Sequence, residues 1–196
     1  MQHTVVSSFT EQHHAAADHA SVQLYARQSV SAGVTCRPAV ESDLTALIDI
    51  YNHYVRSSHC TFDTDPFDPD SRQPWWRQFD GKRHQCWIAD SAGSITGYAC
   101  TTPFKAKPAY GTSVEISVYV HPDSAGRGIG RQLYSTLLPA LVEHGVHRAY
   151  AGIALPNDAS IGLHEQFGFK QAAHFHEVGY KFERFWDVVW LECAIG

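Results

Sequence analysis

Apolar and polar positions alternate in patterns that divide most of the chain into elements, starting near residue 34. Val34-Thr35-Cys36-Arg37-Pro38-Ala39 reads as a short strand. Asp43 then opens a helix whose apolar positions Leu44, Leu47, Ile48, Tyr51 and Val55 form one stripe at helical spacing. Asp63 to Asp70 holds two prolines and four aspartates and is expected to be a loop. Ser71 to Phe79, with Trp75 and Trp76, reads as a second helix. Gln85 to Asp90 turns through Ser91-Ala92-Gly93 into Ile95 to Thr102, the pattern of a hairpin. The most regular strand is Ser113 to His121, with Val114, Ile116, Val118 and Val120 on one face and Glu115, Ser117, Tyr119 and His121 on the other. A glycine-rich turn leads from it into a long helix through Leu133, Leu137, Leu138, Leu141 and Val142. A strand over Arg148 to Leu155 follows, then a helix over Asp158 to Phe167 with Gly168 as its left-handed cap. Strands near Phe169 to His176 and Trp186 to Cys193 complete the order. The class is mixed α/β, and the absence of strict βαβ alternation argues against a doubly wound dinucleotide fold.

Residues 1–33 are polar, rich in Ala, Ser and His, and lack a sustained period. They are expected to be a disordered or weakly helical extension to one domain over residues 34–196. A hydrophobic share of 44% is ample for a core in that domain. The net charge of -5 offers no basic stripe to a nucleic-acid backbone. No apolar run reaches membrane-spanning length and the first ten residues do not resemble a signal peptide, so a soluble, cytoplasmic protein is expected. Cys36, Cys60, Cys86, Cys100 and Cys193 stand singly, which fits reduced thiols, and none lies in a nucleophile motif with a histidine base. His13, His14 and His19 have no ligand pattern around them, and no metal is expected.

Chemistry concentrates at Gly126-Arg127-Gly128-Ile129-Gly130-Arg131. A strand, a glycine turn and a helix start together make an anion site, because the backbone can approach closely and the first helical N–H groups point at the ligand. No Lys-Ser or Lys-Thr pair follows Gly130, which excludes a Walker loop. The plain alternative is a tight turn that merely needs glycine.

Ser117-Val118-Tyr119-Val120 followed by that glycine turn resembles the acetyl-CoA loop of the GNAT acetyltransferase superfamily. The family's loop usually begins with Gln or Arg where this chain has Ala125, a change that leaves the amides in place. Ile50-Tyr51-Asn52-His53-Tyr54-Val55, Thr61-Phe62, Gly97-Tyr98-Ala99, Ala109-Tyr110 and Val114-Glu115 occur in order. Pro156-Asn157-Asp158-Ala159-Ser160, Leu163-His164-Glu165, Gly168-Phe169, Gly179, Lys181 and Trp186-Asp187 continue it. Over roughly residues 35–192 these motifs resemble the phosphinothricin and methionine-sulfoximine N-acetyltransferases. The resemblance implies a GNAT fold, a twisted and mostly antiparallel sheet with helices on both faces. It also implies acetyl-CoA as donor, a small amine as acceptor and a homodimer. The backbone of Val118, Tyr119 and Val120 would hold the pantetheine arm, and the amides of Gly126, Arg127, Gly128, Ile129, Gly130 and Arg131 the pyrophosphate.

Attack on a thioester needs a neutral amine, so a group must accept its proton. Glu115, at the start of the central strand, is the candidate base, and the resemblance implies the same role. A solvated strand carboxylate is the competing reading. Asn157, Ser160, Ile161 and His164 fall on one helix face, and Asn157 also suits an N-cap. By resemblance Asn157 and Ser160 lie along the CoA arm, and His164 stands where many superfamily members carry a proton-donating tyrosine. An ordinary helix-face histidine is the alternative. Phe62 and Tyr110 could wall a substrate site, with Lys105 and Lys107 supplying cations for an acidic group. The resembled family commonly has Arg at the position of Lys107. A protein N-terminal or lysine acetyltransferase, and a non-catalytic acyl-CoA-binding module, are the rival functions.

Overall fold

The computed structural model describes residues 33–196, so the expectations for residues 1–32, including His13, His14 and His19, lie outside it. Seven strands form one sheet: β1 (Val34–Pro38), β2 (Cys86–Ser91), β3 (Ser94–Pro103), β4 (Ser113–Val120), β5 (Arg148–Ala154), β6 (Lys170–Lys181) and β7 (Arg184–Ala194). Their order across the sheet is β1-β2-β3-β4-β5-β7-β6. Every neighbouring pair is antiparallel except β4 and β5, which run parallel. Among the described residues four α-helices accompany the sheet: α1 (Leu44–Ser57), α2 (Pro69–Trp76), α3 (Ile129–Glu143) and α4 (Asp158–Gln166).

Side-chain alternation along the strands sorts the core into two layers. Ala89, Ala99, Val114 and Ile116 face Leu133, Tyr134, Leu137, Leu138 and Leu141 of α3, with Val118, Val120 and Leu163 of α4 packed against the same cluster. The intervening residues Cys86, Ile88, Tyr98 and Cys100 face Leu47 and Ile50 of α1. Helices therefore cover both faces, as expected for this fold. The face assigned to Glu115, Ser117 and Tyr119 is the α1 side, since Thr102 pairs with Glu115 and Cys100 with Ser117.

Three boundaries differ from the sequence reading for local reasons. Helix α2 starts at Pro69 because the Asp68 carboxylate accepts from the Ser71 amide, and Pro69 suits the first helical position. Strands β6 and β7 run several residues further and meet at Phe182-Glu183, two residues with positive φ that close the hairpin. Helix α1 is preceded by a 3-10 turn (Glu41–Asp43), and Asp43 makes no side-chain bond to the first turn of α1. The Asp43 carboxylate instead accepts from the Val40 amide at 2.8 Å and from both Arg37 terminal nitrogens, at 2.7 and 2.9 Å. It ties β1 to the entry of α1, and Gly168 (φ 82) ends α4 as expected.

The Arg37 guanidinium and the Val40 amide hold the Asp43 carboxyl below its ordinary pKa. A carboxylate depressed in the folded state contributes stability above its unfolded pKa, and that contribution is lost as pH falls through the folded value. Asp43→Asn should therefore lower the unfolding free energy in urea at neutral pH by about 1–3 kcal/mol. The gap to wild type should narrow as pH drops from about 5 toward 3, where the unfolded and then the folded carboxyl titrate. A gap that stays constant over that range contradicts the ionic origin.

Candidate active site

The sheet opens at its one parallel junction. Strands β4 and β5 pair only at Ser113 with Arg148, Val114 with Ala149 and Glu115 with Tyr150. Beyond that point β4 continues to Val120 and β5 to Ala154 without further pairing. A cleft of about 720 Å³ occupies the fork, lined by Ile116 to Val120 on one side and Ala151 to Ala154 on the other. The rest of its wall comes from the glycine turn, the start of α3, one face of α4, and Tyr54 and Cys60.

Local chemistry explains the turn. Gly126 and Gly128 have φ of 74 and 77°, a region in which a β-branched side chain is strained. Gly128 is the N-cap of α3 and its carbonyl accepts from Gln132, the first bond of the helix. The first turn, Ile129 to Arg131, lines the cleft, and a helix start there favours an anion. Gly126, Gly128, Ile129, Gly130 and Arg131 line the cleft, whereas Arg127 is exposed and does not. Val118, Tyr119 and Val120 line it from β4, and the Val120 carbonyl is occupied by the Tyr54 hydroxyl at 2.6 Å.

Helix α4 brings Asn157, Ser160 and His164 to the opposite wall. Asn157 is the N-cap: its Oδ1 accepts from the Ser160 amide at 3.1 Å, and its Nδ2 reaches Cys60 Sγ at 3.3 Å. His164 is 2% exposed. Its Nδ1 lies 2.7 Å from the Ser160 carbonyl, which can only accept, so Nδ1 carries the proton. Nε2 is then the acceptor for the Tyr134 hydroxyl at 2.8 Å. Burial lowers the His164 pKa to about 4, only partly opposed by the Ser160 bond, and the ring is neutral at pH 7. Tyr134 was hidden in the sequence by its place in the apolar stripe of α3; a hydroxyl there requires a buried partner, and that requirement was the available signal.

Glu115 sits at the apex of the fork, in the last β4–β5 pair, opposite Thr102 and Tyr150. It is half-buried; desolvation raises its pKa and the charge of Lys105 partly opposes this. Aromatic residues surround the approach. Phe104 stacks on Tyr150 at 4.2 Å and meets the edges of Tyr110 and Trp190 at 6.0 and 5.8 Å, while Lys105 Nζ lies 4.9 Å from the Phe104 ring centre. Phe104 and Tyr150 were not singled out from the sequence, since they come from separate strands or strand ends. Lys107 and Tyr110 are exposed on the same β3–β4 connection.

Phe62 belongs to a different wall. A Cβ added to Gly179 of β6 would lie 2.1 Å from the Phe62 ring, so the ring rests directly on that glycine backbone. The loop carrying Phe62 is pinned by the buried Lys181, whose Nζ donates to the carbonyls of Ser58 and Thr61, both at 2.8 Å. None of Phe62, Lys105, Lys107 and Tyr110 lines the long cleft. The structure thus brings the cleft residues together and distributes the four substrate candidates over two walls.

A parallel fork in a mostly antiparallel sheet, with a glycine turn at a helix start beside it, defines a class. Residues 47–169 match the Acetyltransferase (GNAT) family, and the chain belongs to that family. It is 52% identical over 166 residues to a phosphinothricin N-acetyltransferase of Streptomyces coelicolor, covering 83% of this chain and 96% of the relative. It is 34% identical to an L-methionine sulfoximine/L-methionine sulfone acetyltransferase of Salmonella typhimurium, covering 83% and 95%. An acetyltransferase of Salmonella typhimurium solved with its cofactor acetyl-CoA superposes with a TM-score of 0.80 at 33% identity, over 84% of this chain and 95% of that one. The protein is an acetyl-CoA-dependent N-acetyltransferase. The open strand edge, the positive-φ glycines and the helix start suit an extended molecule that carries a pyrophosphate.

Gly128→Val should weaken acetyl-CoA binding at least tenfold by calorimetry, because a β-branched residue cannot hold this turn without strain. Unchanged affinity in a folded variant rules out the turn as the anion site. The His164 ring should remain neutral from pH about 8 down to about 5.5, well below where an unperturbed histidine titrates. Nitrogen chemical shifts of the ring test this, and a midpoint near the ordinary value would contradict the buried, Tyr134-bound state.

Proposed function

We propose that the protein acetylates the α-amino group of a small amino-acid-like substrate of the methionine sulfoximine, methionine sulfone or phosphinothricin type. Transfer is direct, within a ternary complex, and no enzyme thiol carries the acetyl group. The observation that carries this reading is Glu115 at the fork, half-buried and bordered by Thr102 and Tyr150, with Lys105 near enough to influence its charge.

Acetyl-CoA supplies an activated acyl group as a thioester. The amides at the start of α3 bind its phosphates, and Val118 to Val120 align the arm along the free edge of β4. Glu115 takes the proton of the substrate ammonium, directly or through one water, so that the amine reaches the reaction neutral. An α-amine, with a pKa of about 8, asks less of such a base than a lysine amine at about 10.4. The difference is about 3 kcal/mol at neutral pH. The raised pKa of Glu115 makes it a stronger base than an exposed glutamate. Lys105 and Lys107 attract the acidic group of the substrate, and the aromatic walls exclude water around the amine.

His164, a candidate from the sequence for moving a proton or for lining the site, is better supported as a positioning residue. Its neutral ring, bonded to Ser160 and Tyr134, ties α4 to α3 within the apolar cluster beside the cleft. The reading includes a homodimer, supported by the exposed apolar side chains of Phe175, Val178, Tyr180, Phe182 and Phe185 on the β6–β7 hairpin. It includes a cytoplasmic setting, supported by five free cysteines.

Glu115→Gln should lower turnover by about 10²–10⁴ at neutral pH. A raised carboxyl pKa means the base is lost as pH falls, so wild-type kcat/KM should show an acid limb above the ordinary glutamate range. That limb should vanish in the variant, and the deficit should shrink at high pH as the amine loses its proton unaided. Near-normal turnover at pH 7 removes Glu115 from the role. Among substrates, the methionine analogues should exceed phosphinothricin, because Lys107 lacks the paired donors of an arginine for a phosphinate. Both should exceed a peptide with an Ala or Ser terminus. A tenfold preference for the peptide would transfer the assignment to a protein-acetylating enzyme.

A further inference from the structure

The β6–β7 hairpin brings together a second set of donors. His174 and His176 are two residues apart on β6 and project from the same face. The pairing between the strands shifts between Phe175 and Gly179, and Glu177 inside this bulge takes φ 52. The shift leaves room for Asp187 of β7 to turn toward both histidines. Asp187 Oδ2 lies 2.8 Å from His174 Nε2 and 3.1 Å from His176 Nδ1. Its other oxygen, Oδ1, accepts from the Glu177 amide at 2.8 Å, which fixes the carboxylate plane. The Asp187 carbonyl accepts from the Leu155 amide, anchoring the residue to the end of β5. The imidazole centroids are 4.2 Å apart, and the three ligand atoms lie within 4.8 Å of one another.

We propose that His174, His176 and Asp187 form a binding site for a divalent transition cation of the Zn²⁺ type, independent of the acyl-transfer site. Two imidazole nitrogens and one carboxylate oxygen make a borderline-soft donor set that suits Zn²⁺, Ni²⁺ or Cu²⁺ better than Mg²⁺ or Ca²⁺. A tetrahedral Zn²⁺ at about 2.0–2.1 Å from each donor sets the donors about 3.3 Å apart. The nitrogen-to-oxygen separations of 2.8 and 3.1 Å need to widen by about half an ångström or less. On binding, each ring moves its proton to the nitrogen facing away from the metal, so both imidazoles stay neutral and bind through a lone pair. The Glu177 amide on Oδ1 holds the carboxylate in the ligating orientation, the role outer hydrogen bonds play in metal centres. His176 is the most open of the three side chains, so water completes the coordination on that side. Without metal the same atoms form a hydrogen-bonded triad in which both rings donate to one carboxylate oxygen.

The distinction is experimental. Full-length protein titrated with ZnCl₂ in a calorimeter should bind one ion at this site with micromolar affinity, typical of an exposed three-ligand cluster. His174→Ala and His176→Ala should each weaken that event at least tenfold. Both variants keep the histidines before residue 33 and all five cysteines, so binding at those groups would persist. Co²⁺ in place of Zn²⁺ should give a visible spectrum without a thiolate charge-transfer band. Four results overturn the site: no micromolar binding by wild type, unchanged affinity in both variants, weakening in only one of them, or a thiolate band that assigns the ion to a cysteine.

Discussion

Two parallel strands that separate after three residue pairs govern the architecture of this protein. A strand pair normally satisfies its backbone groups along its whole length, and parting the pair inside a sheet leaves N–H and C=O groups facing a gap. Such a gap is stable only if water or a ligand with matching polarity fills it. Everything nearby is arranged to keep it open and shaped. β3 holds β4 along its full length on the other side, and β7 does the same for β5, so neither strand can collapse inward. Helices α3 and α4 close one face through a shared apolar cluster, and the Tyr134–His164 bond joins them within it.

The elements were largely legible because their signals are local. The stripe in α1, the alternation in β4 and the run of leucines in α3 each report a face that must be buried, and each is. The glycine turn was legible for the same reason, since positive φ at Gly126 and Gly128 is a property of the residue and its immediate neighbours. Boundaries shifted where a side chain made an unforeseen bond. Asp68 captured the Ser71 amide and moved the start of α2 back to Pro69, while Asp43 served Arg37 and Val40 instead of capping α1.

Long-range assembly was much less visible. No periodicity announces that Phe104, Tyr150 and Trp190 converge, because their contact depends on strand order and register. Lys181 illustrates the limit most clearly. A lysine in a strand reads as a solvated cation, yet this one is 4% exposed and spends its donors on two loop carbonyls. His164 was visible as a site-facing residue, but its protonation state was not. That state follows from Tyr134 and the Ser160 carbonyl, and only one of these partners is near it in the chain.

Gly179 shows how the wall of a pocket can be set from behind. Phe62 leans on a bare stretch of backbone, and its position is decided by a methyl group that position 179 lacks. Adding even one carbon there would push the ring off its seat, although residue 179 itself is buried beneath the ring. In the proposed acceptor pocket, a change of width therefore has two routes: replacing the aromatic ring, or reshaping the strand it rests on. The second route alters the shape of the cavity while leaving every lining side chain unchanged. Relatives that differ in acceptor preference can accordingly share identical pocket residues, and the cause of the difference is then one layer deeper, in the supporting strand.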